Sequence, residues 1–152
     1  MSNKNDIIDK YTKYIMNAVK SGNKKDAATY KLIKAKMLEF VTQKNAPELN
    51  DNTEIQVLNS MIKERMQSAK TYEEGGRKDL ADAEMEEVEV IKQFVPKQAS
   101  AEEIENFVQT IIDEHGTITQ KCMGNVIKMI KEKFKNVDGK LASTIVKNHI
   151  NN

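Results

Sequence analysis

The chain has 152 residues, 39% of them hydrophobic and 31% charged, with 5% aromatic, no tryptophan and a formal net charge of +1. This balance excludes a disordered chain, and the length suits one compact domain or two small ones. The single cysteine, Cys122, excludes an internal disulfide, and no apolar run approaches the roughly 20 residues of a membrane helix, so a cytoplasmic protein with no membrane contact is expected.

The first six residues carry neither the apolar stretch of a signal peptide nor the arginine-rich character of a transit peptide. From about 5 to 20, Ile7, Tyr11, Ile15 and Val19 recur every fourth residue, which predicts a helix with those side chains inward. Ser21-Gly22-Asn23 breaks it, the glycine suiting a left-handed cap. A second helix, from about 24 to 43, carries a broad apolar band of Leu32, Ile33, Met37, Phe40 and Val41. Residues 45–50, with Pro47, read as a loop.

Asp51-Asn52-Thr53-Glu54 starts a third helix with acids in its first turn, presenting Ile55, Leu58, Ile62 and Ala69 inward, and Gly75-Gly76 stops it. The fourth runs from about 78 to 94 with Leu80, Val88 and Ile91 inward and Asp79, Asp82, Glu86 and Glu89 outward. Helices three and four should fold back as a hairpin. Pro96 then cuts the chain, placing the domain boundary between 1–95 and 96–152. Ser100-Ala101-Glu102-Glu103 matches a capping box and precedes a stripe of Ile104, Phe107, Val108, Ile111 and Ile112. Gly116 ends that helix. Thr119 is expected to cap the next, with Met123, Val126, Ile127, Ile130 and Phe134 inward. Asp138 is expected to cap a last one carrying Leu141, Ile145 and Val146. The expected fold is therefore all-α: an N-terminal long-helix domain with a helical hairpin, and a small C-terminal three-helix bundle.

The near-zero net charge conceals a partition. Residues 1–50 carry ten lysines and five acids, residues 51–116 seven basic and sixteen acidic side chains, and residues 117–152 seven lysines and two acids. Asymmetry of this kind points to an anionic partner for the basic segments, weighed against lysines that only solvate helix faces. His115 sits at a helix end, where a cation suits the dipole, and His149 lies near the terminus. Neither has an acidic or thiol cluster at ligand spacing, and there is no phosphate-binding glycine loop and no Gly-x-Ser-x-Gly elbow. No catalytic residue, cofactor or metal is therefore expected. Cys122 is expected to be a small half-buried packing residue, against the alternative of a nucleophile at a helix start.

Two details of the basic segment go beyond bulk charge. Gly124 lies inside a predicted helix, where it costs about 1 kcal/mol against alanine, so close approach of a neighbouring helix or a ligand is expected there. Asp138-Gly139-Lys140 opens the last helix with Lys147 two turns on, which reads either as a phosphate contact or as a plain capped start. The candidate RNA-contacting set is Lys121, Gly124, Asn125, Lys128, Lys131, Lys135, Gly139, Lys140 and Lys147.

These residues carry a family resemblance. Lys63-Glu64-Arg65, Ser68-Ala69, Gly75-Gly76-Arg77-Lys78-Asp79-Leu80-Ala81, Glu84, Glu87, the run from Phe94 to Glu103, Met123-Gly124-Asn125-Val126 and Asp138-Gly139-Lys140-Leu141 resemble the YqeY family in order and spacing, from about Tyr11 to Ile150. That family is similar to the C-terminal tail of the GatB subunit of the tRNA-dependent amidotransferase, a helical appendage associated with tRNA and remote from the chemistry. The resemblance implies a long-helix domain followed by a small three-helix domain. It implies neither the kinase-like GatB core nor the amidase machinery, so a glutamine-dependent amidotransferase label would pass to this chain by analogy alone.

Three functions follow as expectations. The first is an accessory protein binding tRNA or another structured RNA through the basic terminal unit, with an aminoacyl-tRNA or an amidotransferase-pathway protein as a further partner. The second is a protein-binding adaptor that uses the acidic hairpin. The third is an amide-transfer enzyme, for which only Cys122 or a scattered Ser or Thr offers a nucleophile.

Overall fold

The computed structural model describes residues 3–150, so Met1 and Ser2 of the N-terminal segment read above, and Asn151 and Asn152, lie outside the described residues. Among the described residues the protein is all-helical: α1 (Lys4–Lys20), α2 (Lys24–Thr42), α3 (Asp51–Glu74), α4 (Lys78–Lys92), α5 (Ala101–His115), α6 (Met123–Lys133) and α7 (Gly139–Asn148), with a 3-10 turn at Gln120–Cys122. Contacts divide the chain into two compact units, Met1–Val95 and Pro96–Asn152.

In the first unit, α1 folds back on α2 and α3 on α4, and α2 packs against both α3 and α4. The two turns are built alike. After α1 the Asn23 amide donates to the Ala18 carbonyl and the Gly22 amide to Val19; after α3 the Arg77 amide donates to Tyr72 and the Gly76 amide to Glu73. Each is the paired-bond helix stop that needs a left-handed residue, and Gly22 and Gly76 supply it at φ 77° and 76°. The starts are also set locally: Asn3 with Asp6 and Asn50 with Thr53 form reciprocal capping boxes.

The core of this unit gathers Ile7, Tyr11, Ala18, Ala27, Tyr30, Ile33, Met37, Leu49, Leu58, Met61 and Ile91. Several expected positions move. Val19 is 59% exposed because a row at every fourth residue drifts by roughly 40° per step around the helix, and Ala18 takes the inward place. Leu32 is 43% exposed because its neighbour Ile33 occupies the facing position. Ile55 is half-buried, while Glu54 beside it is buried. α4 stops at Lys92, and Phe94, expected as its last residue, leaves the helix and meets three tyrosines: its ring centroid lies 5.1 Å from Tyr11, 4.9 Å from Tyr14 and 5.7 Å from Tyr30, all edge to face.

In the second unit, α5, α6 and α7 pack mutually around Ile104, Val108, Ile111, Val126, Ile130, Ala142, Ile145 and Val146. Ser100 and Glu103 form the predicted capping box. Ile118 pairs with Ile150 in an isolated parallel bridge. The start of the unit is tied down by Asn136, a buried residue whose side-chain amide donates to the Pro96 carbonyl at 2.8 Å and whose own carbonyl accepts from the Ala99 amide at 2.9 Å. Thr119 does not cap α6 with its side chain. It precedes the 3-10 turn, and α6 begins at Met123.

Candidate nucleic-acid interface

The basic side chains of the second unit point outward because the opposite sides of their helices are committed to the core. On α6, Val126 and Ile130 are buried, which leaves Gly124, Lys128 and Lys131, at i, i+4 and i+7, on one exposed face. Asn125 lies one position round from it, also exposed. Lys121 stands on the 3-10 turn before α6 and Lys135 on the segment after it, both exposed. On α7, Ala142, Ile145 and Val146 are buried, and Lys140 and Lys147, at i and i+7, share the exposed side with Thr144, whose hydroxyl donates to the Lys140 carbonyl at 2.9 Å. The candidates thus form one stripe on α6 and a second on α7.

None of the seven lysines between 117 and 152 has a carboxylate within ion-pair distance among the described residues. The two acids of that segment do not mask them. Glu132 is exposed without a basic partner, and Asp138 is engaged by the backbone, accepting from the amides of Lys140 and Leu141. This engagement bears on the reading of Gly139 and Lys140 as a phosphate contact. The amides of Lys140 and Leu141 are already bonded to Asp138, so what the start of this helix offers an anion is chiefly the Lys140 ammonium group. The expectation at Gly124 is corrected. A side chain built on it would meet nothing within 4 Å, so the glycine admits no neighbouring helix and leaves a bare spot on the lysine face.

The remaining candidates for chemistry resolve simply. Cys122 is exposed, not half-buried, and its Sγ lies 3.3 Å from the Thr119 hydroxyl. Hydrogen bonding from the Thr119 side chain, and then from its backbone, lowers the thiol below its usual pKa. His149 does find a partner: its Nε2 lies 2.6 Å from Glu105 Oε2, joining the end of α7 to α5. His115 stands exposed at the end of α5, 3.9 Å from Glu114. Among the described residues no group of three or more His, Cys, Asp or Glu side chains is placed to hold a metal ion, and no helix is long and apolar enough to cross a membrane.

The first unit holds what the sequence reading missed. Glu54 is buried and accepts from Lys10 Nζ at 2.6 Å and from the Tyr11 hydroxyl. Burial first, and then the bond to Glu54, push the Tyr11 phenol far above its ordinary pKa. Lys10 Nζ also lies 4.9 Å over the Tyr11 ring and 5.8 Å over Phe94. Three turns along the same face of α3, Arg65 donates from Nε to Glu87 of α4 at 2.7 Å and from Nη1 to the Met61 carbonyl at 3.2 Å. A signal for both pairs was present. Glu54, Leu58, Met61 and Arg65 fall at i, i+4, i+7 and i+11, and a charge on an otherwise apolar row marks a buried or half-buried ion pair. A shallow groove of about 360 Å³ between α2 and α3, lined in part by Phe40, Val57 and Met61, contains none of the candidate lysines of the second unit.

The chain is 30% identical over 88 residues to the uncharacterised protein C22F3.15 of Schizosaccharomyces pombe, an alignment that covers 58% of this chain and 71% of that one. The family described as Yqey-like protein matches residues 8–150, which takes in both units, so the chain belongs to the YqeY family.

Proposed function

We propose that this chain is an accessory protein that binds structured RNA, transfer RNA foremost, through the lysine faces of α6 and α7. The observation that carries the proposal is a contrast in pairing. The lysines of the second unit are exposed and, among the described residues, have no ion-pair partner, whereas several acids of the first unit, four of them on α4, are answered within it. Glu87 is held by Arg65, Asp79 by Arg77, Glu86 by Lys25 and Glu89 by Lys92. Unanswered cations are free to exchange their counterions for phosphates, and partly self-neutralised acids make a weaker docking surface for a basic protein. The similarity of the family to the GatB tail, stated above on sequence, supports the choice of tRNA.

Phe107 and Phe134, the aromatic residues of the second unit, pack on each other at 5.8 Å against its core. Recognition would therefore run through phosphates and shape, without base stacking. Binding should weaken steeply with salt. A gel-shift titration with total tRNA at low and moderate salt tests this, alongside Lys128→Glu/Lys131→Glu. Binding in low salt that the double variant loses is the expected result. No shift at micromolar protein in low salt would overturn the proposal.

A further inference from the structure

A second basic surface remains in the first unit after α6 and α7 are assigned. Resting on the RNA-binding reading above, we infer that the outward face of α2 is a further contact for the phosphate backbone of the same RNA. Lys24, Ala28, Lys31 and Ala35 follow one another at i, i+4, i+7 and i+11, and all four are exposed. Lys24 and Lys31 stand about 10 Å apart along the helix axis, and the alanine between them keeps the surface low, so a sugar-phosphate backbone can lie against it. Neither lysine is ion-paired among the described residues. Lys25, alongside, meets Glu86 only at 3.4 Å, with both side chains well exposed, a pair that salt readily screens.

The acid of the first turn does not cancel this face. Asp26 lies on the opposite side of α2, where its carboxylate accepts from the Asn23 side-chain amide at 2.8 Å. Nor is the face suited to lie in a lipid surface. The main apolar side of α2, with Ala27, Tyr30, Ile33 and Met37, is buried in the core, and its outward side exposes two large apolar residues, Leu32 and Leu38, on either side of the lysine row, too few for the continuous apolar stripe of an inserting helix. Exposed lysines on a low alanine surface meet the phosphates that line the outside of a folded RNA, which makes the contact a positioning one.

The test uses the full-length chain and total tRNA in filter binding between roughly 50 and 200 mM salt. Three proteins are compared: the parent, Lys24→Gln/Lys31→Gln and Lys128→Gln/Lys131→Gln, each first shown to keep its helical circular dichroism. Two lost phosphate contacts should flatten the slope of log K against log salt by about 1.5 and weaken binding at low salt. If the α2 variant keeps the parent slope and affinity while the α6 variant loses both, the α2 contact is wrong and the proposed function stands. If the parent does not bind at all, both fall. If the α2 variant instead loses retention on phosphatidylserine vesicles with tRNA binding untouched, the face serves lipid and the inference is overturned.

Discussion

Substitution of Tyr11 by Phe isolates the buried phenol–carboxylate bond of the first unit. The ring is fully buried and packs edge to face on Phe94, so phenylalanine keeps the packing and removes only the hydroxyl. A hydrogen bond to a charged acceptor contributes about 1.5–3 kcal/mol. Lys10 still holds the carboxylate of Glu54 in the variant, so the loss should lie at the low end, about 1.5–2 kcal/mol at neutral pH. The pH dependence gives a second and sharper signature. The folded-state pKa of Tyr11 is raised, by burial first, so its contribution is complete below the unfolded phenol value near 10 and declines as pH rises above it. There the unfolded chain has released the proton and the folded chain retains it, and stability falls by about 1.4 kcal/mol per pH unit relative to the variant. Parent and variant should therefore converge about one pH unit above 10. Urea melts followed by tyrosine near-ultraviolet circular dichroism suit the measurement, because all four tyrosines lie in residues 1–95 and there is no tryptophan. A constant offset between the two proteins from pH 8 to pH 11 would refute the reasoning, as would a variant as stable as the parent at pH 7.

Outcomes at four other positions follow from local structure. Arg65→Ala should cost about 1–2 kcal/mol by freeing the half-buried Glu87 and the Met61 carbonyl, measured by the same melts, and Arg65→Lys should recover only part of it. Gly76→Ala should cost about 1–2 kcal/mol from backbone strain alone, since its φ is 76° and no atom stands within 4 Å of the new methyl group. Gly75→Ala, with no positive φ and only ordinary contacts, should be neutral or mildly stabilising. Thr119→Val should raise the Cys122 thiol back toward its ordinary pKa and slow its alkylation by iodoacetamide at neutral pH severalfold, with stability unchanged.

The helical plan was legible because its signals are local. Asn3, Asn50, Ser100 and Asp138 cap their helices within four residues, and Gly22 and Gly76 stop theirs, so starts and ends can be read without knowing the fold. The facing of α1 and α2 was less legible. Ile33 and Leu32 are adjacent and equally apolar, and only the approach of α1, α3 and α4 decides which is buried. Contacts between distant segments could be seen only as anomalies. Glu54 breaks an apolar row, but nothing near it in sequence names Lys10, 44 residues away, as its partner. Asn136 reads as an ordinary loop residue until the fold brings it against Pro96. The lysines of α6 and α7 could be placed on exposed faces from periodicity alone. Their freedom from ion pairs could not, because it depends on where every acid comes to lie.

That freedom matters more than the net charge. A chain at +1 has little long-range field with which to draw in a polyanion, so any RNA must be held by cations acting within a Debye length of about 8 Å. Lysines already tied to carboxylates would contribute little, because an ion pair must be broken for each phosphate gained. The distribution seen in the structure avoids this exchange. Unpaired lysines occupy α6, α7 and the outward face of α2, while Glu86, Glu87, Glu89 and Asp79 are answered by basic side chains of the first unit. The acids remaining on α4 repel phosphates and so bear on orientation. Within the first unit, RNA lying on the α2 face would be disfavoured from sliding onto the α3–α4 hairpin, and specificity of placement would come from where negative charge stands as much as from where positive charge does.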